Sequence, residues 1–176
     1  MSKKVLILHG WGGSSFPHWQ SWLAGELARD YGKVSFLKFS DFDEPKLDVW
    51  MEELKKELED FKPDIVVCHS LANVLWFHLC NAGAVNAVEK LYLVAPPSLT
   101  CEIKELESFF PLNPPSDLNA DDVLLVTSTN DPYLSQAQAR ELRDALGVEM
   151  TVIKDAGHIN ADSGYGPWPW MRELFE

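Results

Sequence analysis

Three polar residues with complementary chemistry follow short apolar runs of the sequence, in the order Ser70, Asp131, His158. A serine hydroxyl attacks an electrophilic carbon once a base removes its proton, and an imidazole accepts and returns protons near neutral pH. A carboxylate can orient that imidazole and stabilise its cation. The three residue types therefore predict nucleophilic catalysis, with Ser70 as nucleophile, His158 as base and Asp131 as the partner of the base.

The spacing of the three residues suits the ends of separate strands. Their order along the chain is the one found in α/β-hydrolase triads. A nucleophile on a sharp strand-to-helix turn needs small neighbours two residues away on either side. Cys68 and Ala72 occupy those positions instead of the usual glycines, and both are small. The alternative is that Ser70 only caps the helix that follows it.

Other residues compete for two of these roles. His18, at the start of the first predicted helix, is the alternative base. We expect His69 to point away from the nucleophile and His78 to be hydrogen-bonded inside a buried helix. Asp155 is the second candidate for the carboxylate, although it stands only three residues before the histidine. The Asn-Asp-Pro sequence around Asp131 also favours a turn on its own.

The first apolar run ends in a glycine-rich loop, residues 9–15 (His-Gly-Trp-Gly-Gly-Ser-Ser). A phosphate loop is excluded, because no Lys-Ser/Thr pair follows and Ser15 replaces a third glycine. An oxyanion loop fits better, and we expect the backbone N–H groups of Trp11 and Leu71 to form the hole. Helical spacings typical of metal ligands do not occur. Neither a metal nor a cofactor is expected.

Composition narrows the class of protein. The 176 residues are 46% hydrophobic and 24% charged, which suits a single domain spanning residues 1–176. A formal charge of −12 disfavours nucleic acids and anionic membranes as partners. Three cysteines without paired spacing fit a reducing compartment, so we expect a cytoplasmic protein. No apolar run is long enough to span a bilayer, and a monomer is expected.

The elements that must position these residues alternate between strands and helices. Predicted strands cover residues 5–8, 34–39, 64–68, 91–95, 123–126 and 150–153. Helical spacing joins Trp19, Trp22, Leu23, Leu27 and Tyr31, and it recurs in residues 47–61, 71–82 and 135–146. Residues 98–121 are the least regular stretch, with a short helix near 102–110. The pattern predicts an α/β protein whose parallel, six-stranded sheet is covered on both faces.

Several motifs resemble those of small single-domain α/β hydrolases related to retinoblastoma-binding protein nine. They are His9-Gly10-Trp11-Gly12-Gly13-Ser14, His18-Trp19-Gln20, the serine turn, Asn130-Asp131-Pro132-Tyr133, Gly157-His158-Ile159-Asn160 and the tail 163–169. The resemblance implies a triad of Ser70, Asp131 and His158 on a reduced hydrolase sheet without a large cap. A retinoblastoma-type partner is not implied, because the Leu-x-Cys-x-Glu motif is broken at residues 99–103.

The sequence thus predicts a serine hydrolase that takes small carboxylic esters as its small-molecule substrate. We expect the site to be open, with walls formed by aromatic side chains: Trp11, Phe16, Phe109, Phe110 and Trp168. Phe109 and Phe110 could instead belong to the core. Two other functions stay open: a catalytically silent module that binds proteins, and an acyltransferase that uses the same triad.

Overall fold

Strands and helices alternate along the chain, as the sequence predicts. The computed structural model describes residues 3–30 and 32–176, so Tyr31 of the first helical pattern lies outside the described residues. The strands are β1 (Lys4–Leu8), β2 (Lys33–Leu37), β3 (Ile65–His69), β4 (Val88–Val94), β5 (Ala120–Ser128) and β6 (Glu149–Ile153). The α-helices are α1 (Trp19–Asp30), α2 (Leu47–Phe61), α3 (Leu71–Asn81), α4 (Gln136–Leu146) and α5 (Pro169–Glu173).

The six strands form one parallel sheet in the order β2-β1-β3-β4-β5-β6. Strand β1 pairs with β2 on one side and with β3 on the other. The strand order therefore reverses between β1 and β3, and a ligand crevice is expected at the carboxyl ends of these two strands. The loop after β1 and the turn after β3 both open into that crevice.

Both faces of the sheet are covered, which confirms the predicted three-layer arrangement. On β1, Leu6 and Leu8 join a core with α2, α3 and α4, whereas Val5 and Ile7 join a second core with α1 and α5. All four side chains are fully buried. A strand buried on both faces reads as a continuous apolar run, which is why β1 was recognisable in the sequence.

The ends of the elements differ from the prediction in places. Strand β5 begins at Ala120, three residues before the apolar run, because Ala120 and Asp122 pair with β4. The side chains of Asp121 and Asp122 stay exposed. The capping box that starts α4 is present, since the Ser135 side chain accepts from the Gln138 N–H and the Gln138 side chain accepts from the Ser135 N–H. The irregular stretch contains one 3₁₀ helix, Lys104–Phe109.

Within the described ranges 3–30 and 32–176, no helix has the length and apolar character needed to cross a membrane.

Candidate active site

The three residues singled out by the sequence lie in hydrogen-bond contact at the carboxyl edge of the sheet. The Ser70 hydroxyl donates to His158 Nε2, with 2.7 Å between Oγ and Nε2. His158 Nδ1 donates to both oxygens of Asp131, at 2.9 and 3.0 Å. The Asp131 side chain is 1% exposed and the His158 side chain 9%. Because a carboxylate only accepts, the Nδ1 proton is held there and Nε2 is free to accept the serine proton.

Ser70 sits on a turn with an unusual backbone conformation. Its φ of 55° and ψ of −122° lie outside the regions that non-glycine residues normally adopt. The turn joins β3 directly to α3, and the Ser70 N–H donates to the Val94 carbonyl at 3.0 Å. Cys68 and Ala72 are fully buried, so both flanking positions accept a small side chain other than glycine. The serine side chain makes no capping hydrogen bond to α3, contrary to the alternative interpretation as a helix cap.

Asn73 holds this turn through side-chain hydrogen bonds, and no motif in the sequence indicated this role. Its side-chain amide donates to the Ser70 carbonyl at 2.9 Å and to the Val94 carbonyl at 2.8 Å. The residue is fully buried. The Asn73 amide therefore joins the turn at Ser70 to the end of β4. The sequence offered a weak signal: Asn73 is a polar residue within the mostly apolar run of residues 71–82.

The loop after β1 packs against the same turn. A Cβ carbon built on Gly10 would lie 2.9 Å from Ser70 Cβ and 3.0 Å from Leu71 N, so only glycine fits at position 10. The loop is also joined to the chain that follows β2, because the Gly12 N–H donates to the Phe42 carbonyl at 2.9 Å. Leu71 is the first residue of α3, where the N–H has no partner within the helix. The Leu71 N–H therefore borders both the nucleophile and the glycine loop.

The loop that carries His158 is held by side chains from the neighbouring strand. Asn130 Oδ1 accepts from the Gly157 N–H at 2.7 Å, and Ser128 Oγ accepts from the Ala156 N–H at 3.0 Å. These bonds join the loop after β6 to the loop that carries the aspartate. In the sequence, Asn130 is part of the Asn-Asp-Pro-Tyr motif, which gives no sign of this supporting role.

The other histidines near the triad have structural contacts. His18 Nδ1 accepts from the Gln20 N–H at 3.1 Å at the start of α1, and burial lowers the pKa of His18 to about 4. His69 Nε2 donates to the His158 carbonyl at 3.0 Å, and burial lowers the pKa of His69 as well. The Ser70 hydroxyl bonds to His158 and not to His18, and His69 supports the backbone of the loop that carries His158. His78 is hydrogen-bonded as expected, to the Phe109 carbonyl at 2.8 Å.

The residues predicted as walls of the site divide into exposed and buried ones. Trp11 is 38% exposed and Phe16 is 85% exposed. The prediction is wrong for Phe109, which is fully buried with its ring 5.6 Å from that of Trp50, and for Trp168, which packs on Trp19 at 5.1 Å. Both rings fill the core under their loops, because large apolar area is stabilised by burial. Phe110 is half-buried against the first core.

A cavity of about 390 Å³ lies beside the glycine loop. Gly12, Gly13 and Ser14 line it together with the rings of Phe36 and Phe42, whereas Ser70 and His158 are not among its lining residues. Its volume is near the lower end of the range for small-molecule pockets.

Comparison with known proteins independently indicates a hydrolase family. Residues 5–176 match the serine hydrolase family. The Bacillus subtilis (strain 168) protein YdeN, whose name calls it a hydrolase, is 35% identical over 182 residues, which cover 99% of this chain and 95% of YdeN.

Two crystal structures are similar in fold. The B. subtilis ydeN gene product superposes with a TM-score of 0.87 over 98% of this chain and 96% of its own, with 20% identity. A YdeN-like hydrolase from Pectobacterium atrosepticum has a TM-score of 0.78 and 25% identity, over 97% of this chain and 87% of its own.

Proposed function

Because the chain belongs to the serine hydrolase family, we propose that it hydrolyses small carboxylic esters through an acyl-enzyme on Ser70. One observation carries this proposal. The Ser70 hydroxyl, the His158 imidazole and the Asp131 carboxylate form a continuous hydrogen-bonded chain, with 2.7 Å from Ser70 Oγ to His158 Nε2. Such an arrangement activates a serine as a nucleophile.

In the acylation step, the Ser70 proton moves to His158 Nε2 as the bond from Oγ to the ester carbonyl carbon forms. The negative charge that develops on the carbonyl oxygen is stabilised by the N–H groups of Trp11 and Leu71. The bond from the carbonyl carbon to the alcohol oxygen then breaks, and that oxygen takes the proton from His158 Nε2. Asp131 holds the imidazole in position and stabilises its cation throughout.

Deacylation repeats the sequence with water as the attacking group. His158 Nε2 removes a proton from the water as its oxygen bonds to the acyl carbon, and the bond to Ser70 Oγ breaks. The proton returns to Oγ, and a carboxylic acid leaves. Each step uses only side chains and backbone groups of this chain, together with the ester and water.

The placement of the aromatic side chains supports a small substrate. Phe109 and Trp168 are buried in the core, so neither ring is available to line a long channel. The exposed rings of Trp11 and Phe16 are left to contact an acyl or alcohol group at the surface. Contacts of this kind suit short apolar groups rather than long lipid chains.

The test is active-site labelling with a fluorophosphonate probe, followed by peptide mapping. The probe should label Ser70, and Ser70→Ala should abolish both labelling and turnover of p-nitrophenyl acetate. Ser98→Ala is a matched control that removes a hydroxyl elsewhere at the carboxyl edge and should keep both. Labelling at Ser14, Ser15 or Ser98 would contradict the assignment, and wild-type turnover by Ser70→Ala would contradict the mechanism.

A further inference from the structure

Tyr133 packs against the imidazole of His158, and the triad itself gives it no role. The two ring centroids are 4.6 Å apart and the planes meet at 65°, an edge-to-face contact. The backbone of Tyr133 is fixed, because its N–H donates to Asp131 Oδ1 at 2.9 Å and its carbonyl accepts from the Ser98 N–H at 2.8 Å. Its side chain is nevertheless on the surface, since the residue is 40% exposed.

Within residues 3–30 and 32–176, two rings contact His158, and they lie in different surroundings. His69, with its centroid 5.2 Å from that of His158, is 4% exposed and lies in the interior. Tyr133 is ten times more exposed, so it is the ring contact of His158 that faces the solvent from which a substrate arrives. An exposed aromatic ring held by its backbone offers a fixed apolar surface.

The proposed reaction brings the leaving group to this surface. The alcohol oxygen takes its proton from His158 Nε2 and must therefore come within hydrogen-bond distance of that atom. The atoms bonded to this oxygen then lie next to the imidazole and to the ring that packs on it. The carbonyl oxygen is directed elsewhere, towards the backbone of Trp11 and Leu71. Tyr133 is thus positioned to contact the alcohol part of the ester rather than the carbonyl oxygen.

We infer that Tyr133 determines leaving-group specificity and that the preferred substrates are esters of aromatic or benzylic alcohols; this inference rests on the proposed function. Two aromatic rings attract each other beyond the contribution of buried area, in edge-to-face or offset arrangements. A saturated ring of similar size would bury similar area against Tyr133 without that additional attraction. The specificity acts during acylation, because the alcohol has left before water attacks.

The experiment compares three acetates that form the same acyl-enzyme: benzyl acetate, cyclohexylmethyl acetate and methyl acetate. The wild-type protein should favour benzyl over cyclohexylmethyl acetate in kcat/KM, by about two- to tenfold. Tyr133→Phe keeps the aromatic ring and should keep this ratio. Tyr133→Leu keeps apolar bulk without the ring and should bring the ratio close to one. Using the change in the ratio between variants cancels the intrinsic reactivity of the esters.

A second measurement separates contact with the alcohol from an indirect effect through the triad. Dimethylcarbamoyl chloride should carbamoylate Ser70 with loss of chloride. Reactivation by water then involves His158 and releases Ser70 Oγ, but no substrate alcohol takes part. If Tyr133→Leu slows reactivation and lowers kcat/KM equally for all three acetates, Tyr133 acts by supporting His158 and the inference is overturned. An unchanged benzyl-to-cyclohexylmethyl ratio in Tyr133→Leu also overturns it.

The two proposals fail in different ways. If fluorophosphonate labels Ser70 and the acetates are hydrolysed without any benzyl preference, the inference about Tyr133 is wrong while the proposed function stands. If Ser70 is not labelled and none of the acetates is hydrolysed, the proposed function is wrong and the inference falls with it.

Discussion

Gly10 and Ser70 meet where β1 and β3 end, with no room for a side chain between them. A Cβ carbon at position 10 would lie 2.9 Å from Ser70 Cβ, 3.0 Å from Leu71 N and 3.1 Å from the His69 carbonyl oxygen. The backbone of the turn cannot yield to such a contact, so the glycine loop would have to move. The loop carries the Trp11 N–H. The distance from this N–H to Ser70 therefore depends on the absence of a side chain at position 10.

We expect Gly10→Ala to lower kcat on p-nitrophenyl acetate by about 10²- to 10³-fold, the usual effect of losing one oxyanion-hole donor. Gly25→Ala is the matched control, because an added Cβ there meets no atom within 4 Å and position 25 lies in α1. Steady-state kinetics of the two variants, with circular dichroism to verify folding, make the comparison. A folded Gly10→Ala protein with wild-type kcat would show that the loop does not supply a donor.

Asp131→Asn should lower kcat on the same ester by about 10²- to 10⁴-fold while the fold is kept, because an amide can neither stabilise the imidazolium nor enforce the Nδ1 proton. Asp155→Asn serves as control: this exposed carboxylate was the competing candidate, and it accepts a hydrogen bond from the Thr129 hydroxyl at 3.4 Å. Comparable losses in the two variants would contradict the role given to Asp131.

The sequence predicted the sheet and the three chemical residues for a common physical reason. Strands buried on both faces are continuous apolar runs, and parallel strands place whatever follows them at one edge. Ser70, Asp131 and His158 each follow such a run, so their meeting could be inferred without coordinates. The start of β5 could not be inferred, because Asp121 and Asp122 belong to the strand through the backbone and give no apolar signal.

The contacts that support the site could not be predicted from the sequence, for a different reason. Asn73 and Asn130 act through single hydrogen bonds to backbone groups that are distant in the chain, and no periodicity encodes such bonds. Phe109 was misplaced because a short 3₁₀ helix gives too few residues to separate an inner from an outer face. Tyr133 follows Asp131 by two residues, but its contact with His158 depends on how two separate loops pack.

Stability should fall in acid partly because of His18. Burial lowers its pKa from 6.5 to about 4, so between these values the unfolded chain binds a proton that the folded chain does not. The free energy of unfolding therefore decreases as the pH drops through this window, by about 2 kcal/mol between pH 7.5 and 4.5 for this residue. His18→Asn, which can still accept the Gln20 N–H, should reduce that decrease in urea-unfolding curves. His69 will keep part of it, since its pKa is lowered too. An identical decrease in variant and wild type would contradict the assignment.

Activity on p-nitrophenyl esters should be highest with acyl chains of about two to six carbons, without interfacial activation. A deep tunnel would add roughly 0.8 kcal/mol of binding for each methylene that it buries. Here Leu106 and Phe109 of the segment between β4 and β5 are buried in the core, so these two side chains are not available to line such a tunnel. Measuring kcat/KM from acetate to palmitate gives the answer, and a maximum at ten carbons or more would reveal a lipid-sized pocket.

The backbone conformation of Ser70 lowers the stability of the fold, yet the same residue supplies the proposed nucleophile. A non-glycine residue held at such angles costs about 1–3 kcal/mol, whereas glycine adopts them without a steric penalty. Selection for a stable fold alone would thus favour glycine at position 70, and only the use of the hydroxyl opposes that change. In a descendant that no longer needed the reaction, this serine is the member of the triad that we would expect to disappear first.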